Sequence, residues 1–283
     1  MPASIYLHSY NYRGYSLERA VRKAREFGYD GLELWSGHFR ADHLREDWAE
    51  ARRLAQVYGL PIPVFDFSVN AIAEDTAERR RQTDRLKDYV RMARDYGATM
   101  LNGSAGTLII DRHNWAANGS ALAREEHYLW AADVLREAAA VAAEVGLTIA
   151  LETHMNTIHD TARATVRLLD LVGSPVVVAN LDPGNLWGTR SAEPIEEAID
   201  LLGPRIGYVH VKNCRRVAYT PVGADYHFWL ESGELDYFAI VQQLAERGFR
   251  GPYCIEYSGG GDRSVPTERD IRYLRRILTE VGG

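Results

Sequence analysis

The sequence predicts an α/β fold of one (β/α)8 barrel spanning residues 1–283, and three observations predict it. Short β-branched or apolar runs alternate eight times with longer amphipathic stretches. Seven of the helical stretches are followed by a glycine, at Gly28, Gly59, Gly97, Gly146, Gly173, Gly203 and Gly248, the residue best suited to the left-handed position just past a helix end. The first run leads into "HSYNYRGYS", which lacks the G-x-G-x-x-G turn of a doubly wound dinucleotide-binding sheet. Strands alternating with helices must lie parallel, and eight such units in 283 residues fit a closed TIM barrel. No linker or low-complexity segment divides the chain.

The elements follow in order. "IYLHSY" (5–10) is the first strand, and Leu17–Phe27 the helix behind it. "GLELW" (31–35) precedes Leu44–Tyr58, "IPVFDFS" (62–68) precedes Arg79–Tyr96, and "TMLNGSAG" (99–106) precedes Tyr128–Val145. The second half repeats the unit: "TIALETH" (148–154) with Ala162–Leu171, "VVVANLD" (176–182) with Ile195–Leu202, "IGYVHVKN" (206–213) with Tyr237–Arg247, and "PYCIEYS" (252–258) with Thr267–Leu278.

Composition excludes several functions. Basic residues number 33 against 39 acidic, a formal charge of −6, and the arginine clusters at 79–81 and 275–276 lie within helical patterns. No basic face for nucleic acid is expected. Two cysteines, Cys214 and Cys254, form no C-x-x-C pair and no disulfide framework. Neither a secretory leader nor an apolar run long enough to span a membrane is present, so the expectation is a cytoplasmic protein with no membrane partner.

In such a barrel the C-terminal end of each strand opens onto the active-site face. There the late strands turn polar: "TIAL" runs into Glu152, "VVVANL" into Asp182, "IGYV" into His210 and "PYCI" into Glu256. Taken singly, each has a plain structural role available, as a cap, a turn or a salt bridge. Neighbouring strands lie about 4.8 Å apart, so four such residues at equal height can converge. Three carboxylates gathered in a partly buried pocket call for a cation or protons. Three oxygen donors and one imidazole suit a divalent ion, Mn²⁺, Mg²⁺, Co²⁺ or Zn²⁺, and the donor set does not choose among them.

The segments "ALETH", "NLDPGNLW", "VHVKN", "SGELDYFAIVQQLAERGFRGPYCIEY" and "GYDGLELW" together resemble the xylose isomerase-like barrel superfamily, in its sugar phosphate isomerase/epimerase group. The resemblance implies that Glu152, Asp182, His210 and Glu256 hold one divalent metal, and that Glu152 and Glu256 act as the acid/base pair on opposite faces of a sugar or keto-sugar substrate. A hydroxy-ketone polarised by the ion would pass through an enediolate. Arg216, six residues after His210, agrees with a substrate-contacting arginine of the ketose 3-epimerases. Two positions depart from those enzymes. Asn185 stands where they carry a histidine and is assigned to substrate, and "THMNTIH" lacks a glutamate they carry beyond the first.

Further residues follow from strand alternation. His154 returns to the side of Glu152 and would touch substrate, orient Glu152 or simply pack. Lys212 stands likewise to His210, to hold a hydroxyl, carboxylate or phosphate, or to form a salt bridge. Glu33 would bind a substrate hydroxyl or pair with a cation inside the barrel, and His8 and Asn102 end early strands in weaker versions of the same role. The aromatic-rich insertion 214–235 reads as a lid or substrate wall, or as an oligomer contact through Tyr226, Phe228 and Trp229. "SGGGD" (258–262) follows the last strand, where barrels often bind phosphate, or forms a turn.

The leading expectation is therefore a metal-dependent isomerase or epimerase of a sugar or sugar derivative. The alternative is a lyase of the same fold, like the dehydratases of keto-inositol and dehydroshikimate or the deglycosidases of oxidised C-glycosides. The related apurinic endonucleases use many more histidines and grip DNA, which this acidic chain does not suit. A sugar-binding protein without catalysis would not require two flanking carboxylates. Proteins it resembles are often dimers or tetramers, so a homo-oligomer is possible.

Overall fold

The computed structural model describes residues 3–112, 117–189, 191–217 and 223–282. Eight parallel strands close into a barrel: β1 (Ile5–His8), β2 (Gly31–Leu34), β3 (Val64–Ser68), β4 (Met100–Ser104), β5 (Thr148–Glu152), β6 (Val177–Leu181), β7 (Ile206–Val211) and, after a small hairpin, β10 (Tyr253–Ile255). The seam joins first to last, with Ile5 opposite Tyr253 and Leu7 opposite Ile255. Helices α1 (Leu17–Phe27), α2 (Leu44–Tyr58), α3 (Thr76–Asp95), α4 (Glu125–Val145), α5 (Ala162–Val172), α7 (Ile195–Leu202), α8 (Tyr237–Glu246) and α9 (Ser264–Glu280) are the crossovers predicted. All seven stop glycines carry positive φ, from +50° at Gly203 to +99° at Gly97, so the signal that ended each helix in the sequence is a backbone requirement.

Side-chain period two sorts each strand into an outward row, packed against the helices, and an inward row. The inward rows climb from apolar to polar. Val64, Ala150, Tyr208 and Cys254 form a fully buried layer joined by Tyr6, Met100 and Val178. Two residues further along the same strands stand His8, Asp66, Asn102, Glu152, Asn180, His210 and Glu256, and another two residues on stand Tyr10, Ser104, His154, Asp182, Lys212 and Ser258. At the polar height Asn180 donates to Asn102 at 2.9 Å, and Asn102 to Glu33 at 2.8 Å. The barrel thus has a dry floor and a hydrogen-bonded tier above it.

Two elements were not foreseen. The short helix α6 (Pro183–Gly188) begins on Asp182, whose side chain caps it by accepting from the Asn185 backbone N–H at 2.9 Å, with proline at the first position. The insertion after β7 forms an antiparallel hairpin, β8 (Asn213–Arg216) with β9 (Ala224–Phe228). Residues 218–222 of the insertion expected as a lid or wall lie outside the described residues. Among the described residues, no helix is long and apolar enough to cross a membrane.

Candidate metal centre and pocket

Strands β5, β6, β7 and β10 are consecutive around the ring, and their C-terminal ends bring Glu152, Asp182, His210 and Glu256 together: one ligand atom from each lies within 4.8 Å of the others. The His210 ring is wholly buried, and its Nδ1 sits 3.7 Å from Glu152 Oε1, 3.9 Å from Asp182 Oδ2 and 3.6 Å from Glu256 Oε2. These are too long for hydrogen bonds, and Nδ1 has no hydrogen-bond partner. A buried, unpartnered imidazole nitrogen facing three carboxylates has the donor set and spacing of a divalent-cation site.

The other ring nitrogen explains why Nδ1 is free. His210 Nε2 lies 2.9 Å from Glu33 Oε2, which also accepts from the Tyr208 hydroxyl at 2.6 Å. An Nε2–H donated to a carboxylate leaves the Nδ1 lone pair pointing at the three acids, the arrangement that orients metal-binding histidines. Glu33 was expected to touch substrate or to pair with a cation. The structure places the side chain completely buried, outside the cavity lining, with both oxygens engaged, one by Asn102, and bracing His210 from below. His8 Nε2 lies 3.6 Å from Glu33 and 3.7 Å from Asp66; burial alone would depress its pKa, but these two carboxylates raise it to about 9.

Lys212 is buried among the acids, with Nζ 2.8 Å from Glu256 Oε2 and 3.0 Å from Asp182 Oδ2. Burial disfavours its charge, yet Asp182, Glu256 and Glu152 outweigh that and hold the ammonium well above its ordinary pKa. Burial likewise pushes the Glu256 carboxyl up, but Lys212, His8 and His210 bring it well below the usual range. Asp182 is pushed up to about 6 by burial, against the pull of Lys212. Asn185 donates its amide to Glu152 Oε1 at 2.8 Å and to Asp182 Oδ2 at 2.9 Å, so it ties two of the four acids and histidine together.

Above these groups opens a cavity of about 400 Å³. Of the residues assigned to substrate, His8, His154, Asn185 and Lys212 line it, together with Glu152 and Glu256. Arg216 does not: its guanidinium stacks 4.0 Å over Trp187 and donates to the Trp187 carbonyl on the exposed side of the hairpin. The walls also hold Ser258, from the glycine-rich segment, and residues not singled out from the sequence, Tyr10, Trp35, Asp66 and Met155. Alternation from His8, Glu33 and Glu256 would have reached Tyr10, Trp35 and Ser258; Asp66, a lone acid inside "IPVFDFS", was the clearest missed signal. The insertion supplies one wall through Tyr226, whose hydroxyl donates to the Gly184 carbonyl at 3.1 Å.

The glycine-rich segment after β10 behaves as a turn, with Gly261 at φ +73°. Arg13 donates to the carbonyls of Tyr257, Ser258 and Gly259, and Arg263 to that of Gly259. Those cations are spent on the backbone. A second depression of about 400 Å³, beside Phe238, Phe249 and Tyr253, lies at the other end of the barrel and gathers none of the strand-end residues.

A closed eight-stranded barrel with a buried acid and histidine cluster at its C-terminal mouth defines a class of barrels with a candidate metal site, and comparison with known proteins narrows it. Residues 21–277 match the family described as xylose isomerase-like TIM barrel, and the chain belongs to that family. It is 25% identical over 251 residues to fructoselysine 3-epimerase of Escherichia coli O157:H7, covering 84% of both chains. It is 26% identical over 228 residues to 3-dehydroshikimate dehydratase of Bacillus anthracis, covering 78% of this chain and 75% of that one. A xylose isomerase-like TIM barrel protein of Mycobacterium smegmatis, solved in complex with magnesium, superposes with a TM-score of 0.75 at 19% identity over 99% of this chain and 97% of that one. The relatives thus include both epimerases and dehydratases.

Proposed function

We propose that the chain is a divalent-metal-dependent isomerase or epimerase of a sugar or sugar derivative, working through an enediolate, with Glu152 and Glu256 as its proton-transferring pair. One observation carries the reading. The two glutamates stand at the C-terminal ends of β5 and β10, separated around the ring by β6 and β7, and both face the cavity. A substrate lying across Asp182 and His210 would have a carboxylate at either side.

An ion held by Glu152, Asp182, His210 and Glu256, with Mn²⁺ the preferred occupant, would polarise the carbonyl and neighbouring hydroxyl oxygen of a hydroxy-ketone. One glutamate takes the proton from the carbon beside the carbonyl, and the other returns a proton to the opposite face. Asn185 keeps the Glu152 oxygen aimed, and Lys212 holds Glu256 in the ionised form that can accept a proton. His8 and His154, on the cavity wall, are assigned to substrate hydroxyls.

A second reading has its own support. The dehydratase relative is as similar in identity as the epimerase, and the Lys212 ammonium beside Glu256 puts a positive charge where a departing hydroxyl would develop a negative one. One experiment separates the two. The Mn²⁺-loaded protein is incubated in heavy water with ketoses, keto-inositols and oxidised glycosides and followed by mass spectrometry. Gain of one deuterium without loss of atoms is expected; loss of water or of an aglycone places the chain among the lyases instead. Glu152→Gln and Glu256→Gln should each lower turnover by about 10²–10⁴-fold with the barrel still folded by circular dichroism. Substantial activity in both variants overturns the assignment of the pair.

A further inference from the structure

Resting on the sugar reading above, we infer that the natural substrate is a sugar carrying an uncharged ring-sized substituent, which lies in a second lobe of the cavity, and that it is not a sugar phosphate. The cavity over the candidate metal ligands adjoins another of about 340 Å³, and the two share Asp66, Glu152, His154 and Met155 as their common border. Each lobe alone falls in the range of small-molecule sites, about 300–1,000 Å³. The second exceeds what the reacting carbons need.

The outer lobe is built, not incidental. Its far wall joins the segments after β4 and β5: Thr107 pairs in antiparallel fashion with Thr157, Leu108 N–H donates to the Asn156 carbonyl at 2.9 Å, and Ile158 N–H donates to the Gly106 carbonyl at 3.1 Å. Asn156 adopts φ +69°, the one positive value among described non-glycine residues. Its side-chain oxygen accepts from buried Asn118 at 3.0 Å. Asparagine takes this region at little cost, and here its neighbours fix it.

The lining chooses the substituent. Met155 and Ile109 offer apolar surface, and Ser104, Thr107 and Asn156 offer neutral hydrogen-bonding groups. No lysine or arginine lines this lobe among the described residues, while Asp66 and Glu152 stand at its border. The lysine of the inner lobe is committed to Asp182 and Glu256. A phosphate in the outer lobe would meet two carboxylates and, among the described residues, no lysine or arginine. An uncharged ring, whether a second sugar or an aryl group, meets apolar contacts from Met155 and Ile109 edged by hydroxyls and amides.

The test measures binding of four ketoses by calorimetry on the Mn²⁺-loaded protein: D-fructose, isomaltulose (fructose glucosylated at O6), 1-deoxy-1-(p-toluidino)fructose and fructose 6-phosphate. At least one ring-bearing ketose should bind tenfold or more tighter than fructose, the better of the two telling a sugar ring from an aryl ring, and the phosphate should bind no tighter than fructose. Thr107→Trp or, from the opposite wall, Ser36→Trp should fill the outer lobe and remove that advantage while moving the fructose Kd less than threefold. The inference is overturned if both ring-bearing ketoses bind no tighter than fructose, if the phosphate binds tightest, or if both tryptophan variants keep the full advantage. Metal-dependent fructose binding without the ring advantage leaves the function proposed above standing; no binding of any ketose, with or without Mn²⁺, overturns both.

Discussion

Glu33→Gln tests whether the buried tier beneath the site governs the candidate metal centre. The carboxylate accepts from Asn102 at 2.8 Å, from Tyr208 at 2.6 Å and from the proton on His210 Nε2 at 2.9 Å, with no access to water. Glutamine keeps the shape but carries one acceptor oxygen and one donor group. Turned toward His210, its oxygen leaves an NH₂ facing the NH₂ of Asn102, which cannot flip without losing the bond its own oxygen accepts from Asn180. Turned the other way, it sets a donor against Tyr208 and His210. Exchanging a charge-assisted bond for a neutral one costs about 1 kcal/mol, and an unsatisfied buried donor adds about 1–3 kcal/mol. The part that reaches His210 should weaken Mn²⁺ binding by about 10–100-fold, equivalent to about 1.4–2.8 kcal/mol. Isothermal titration with Mn²⁺ measures it, with circular dichroism confirming the fold. A dissociation constant within threefold of wild type in a folded variant would mean either that Glu33 does not set the His210 tautomer or that His210 is not a ligand.

Two further outcomes follow from buried charges. Lys212→Met leaves Asp182 and Glu256 without their ammonium, which should destabilise the metal-free protein by about 3–5 kcal/mol. Mn²⁺ would then raise the melting temperature of the variant more than that of wild type, and equal increments in thermal scans would refute the idea that lysine and metal answer the same charge. Asp270 on α9 is buried, accepts from the Leu230 backbone N–H at 2.9 Å and has its pKa raised by burial to about 7 from 3.8. Because the folded value is the higher one, the native state holds a proton that the unfolded chain releases, and stability from this group falls as pH rises from about 4 to about 7. Asp270→Asn keeps the acceptor and removes the titration, so between pH 5 and pH 8 it should gain on the order of 2–3 kcal/mol relative to wild type in urea unfolding; a pH-independent difference would refute the burial argument.

The barrel was legible because each of its units repeats one local grammar, and repetition identifies a pattern that no single strand could. The four strand-end residues were legible for the same reason: Glu152, Asp182, His210 and Glu256 each follow an apolar lead-in, and the structure brings them together. Glu33 shows the limit. Its position on an inward row could be read, but whether a strand-end acid faces the cavity or is spent on neighbours depends on cross-barrel partners such as Tyr208, which sequence spacing does not place. Arg216 fails differently. The hairpin that carries it was invisible as structure because "NCRR" and "ADYHF" alternate too weakly to read as strands, so its outward stacking on Trp187 could not be foreseen. Asp182 shows that a plain role and a chemical one can coincide, since it caps α6 with one oxygen and faces His210 with the other.

The seam of the barrel also sets an order of events during synthesis. The proposed ion site draws Glu256 from β10, while its brace, Glu33, and the neighbouring His8 come from β2 and β1, which the ribosome delivers first. β1 has β10 as one of its two neighbours in the ring, so the earliest and latest parts of the chain must meet before His210 has both its support and its full set of companions. An incomplete nascent chain carries most of the acidic side chains but not the enclosure, and only the folded ring, once shut, brings every member of the candidate site together.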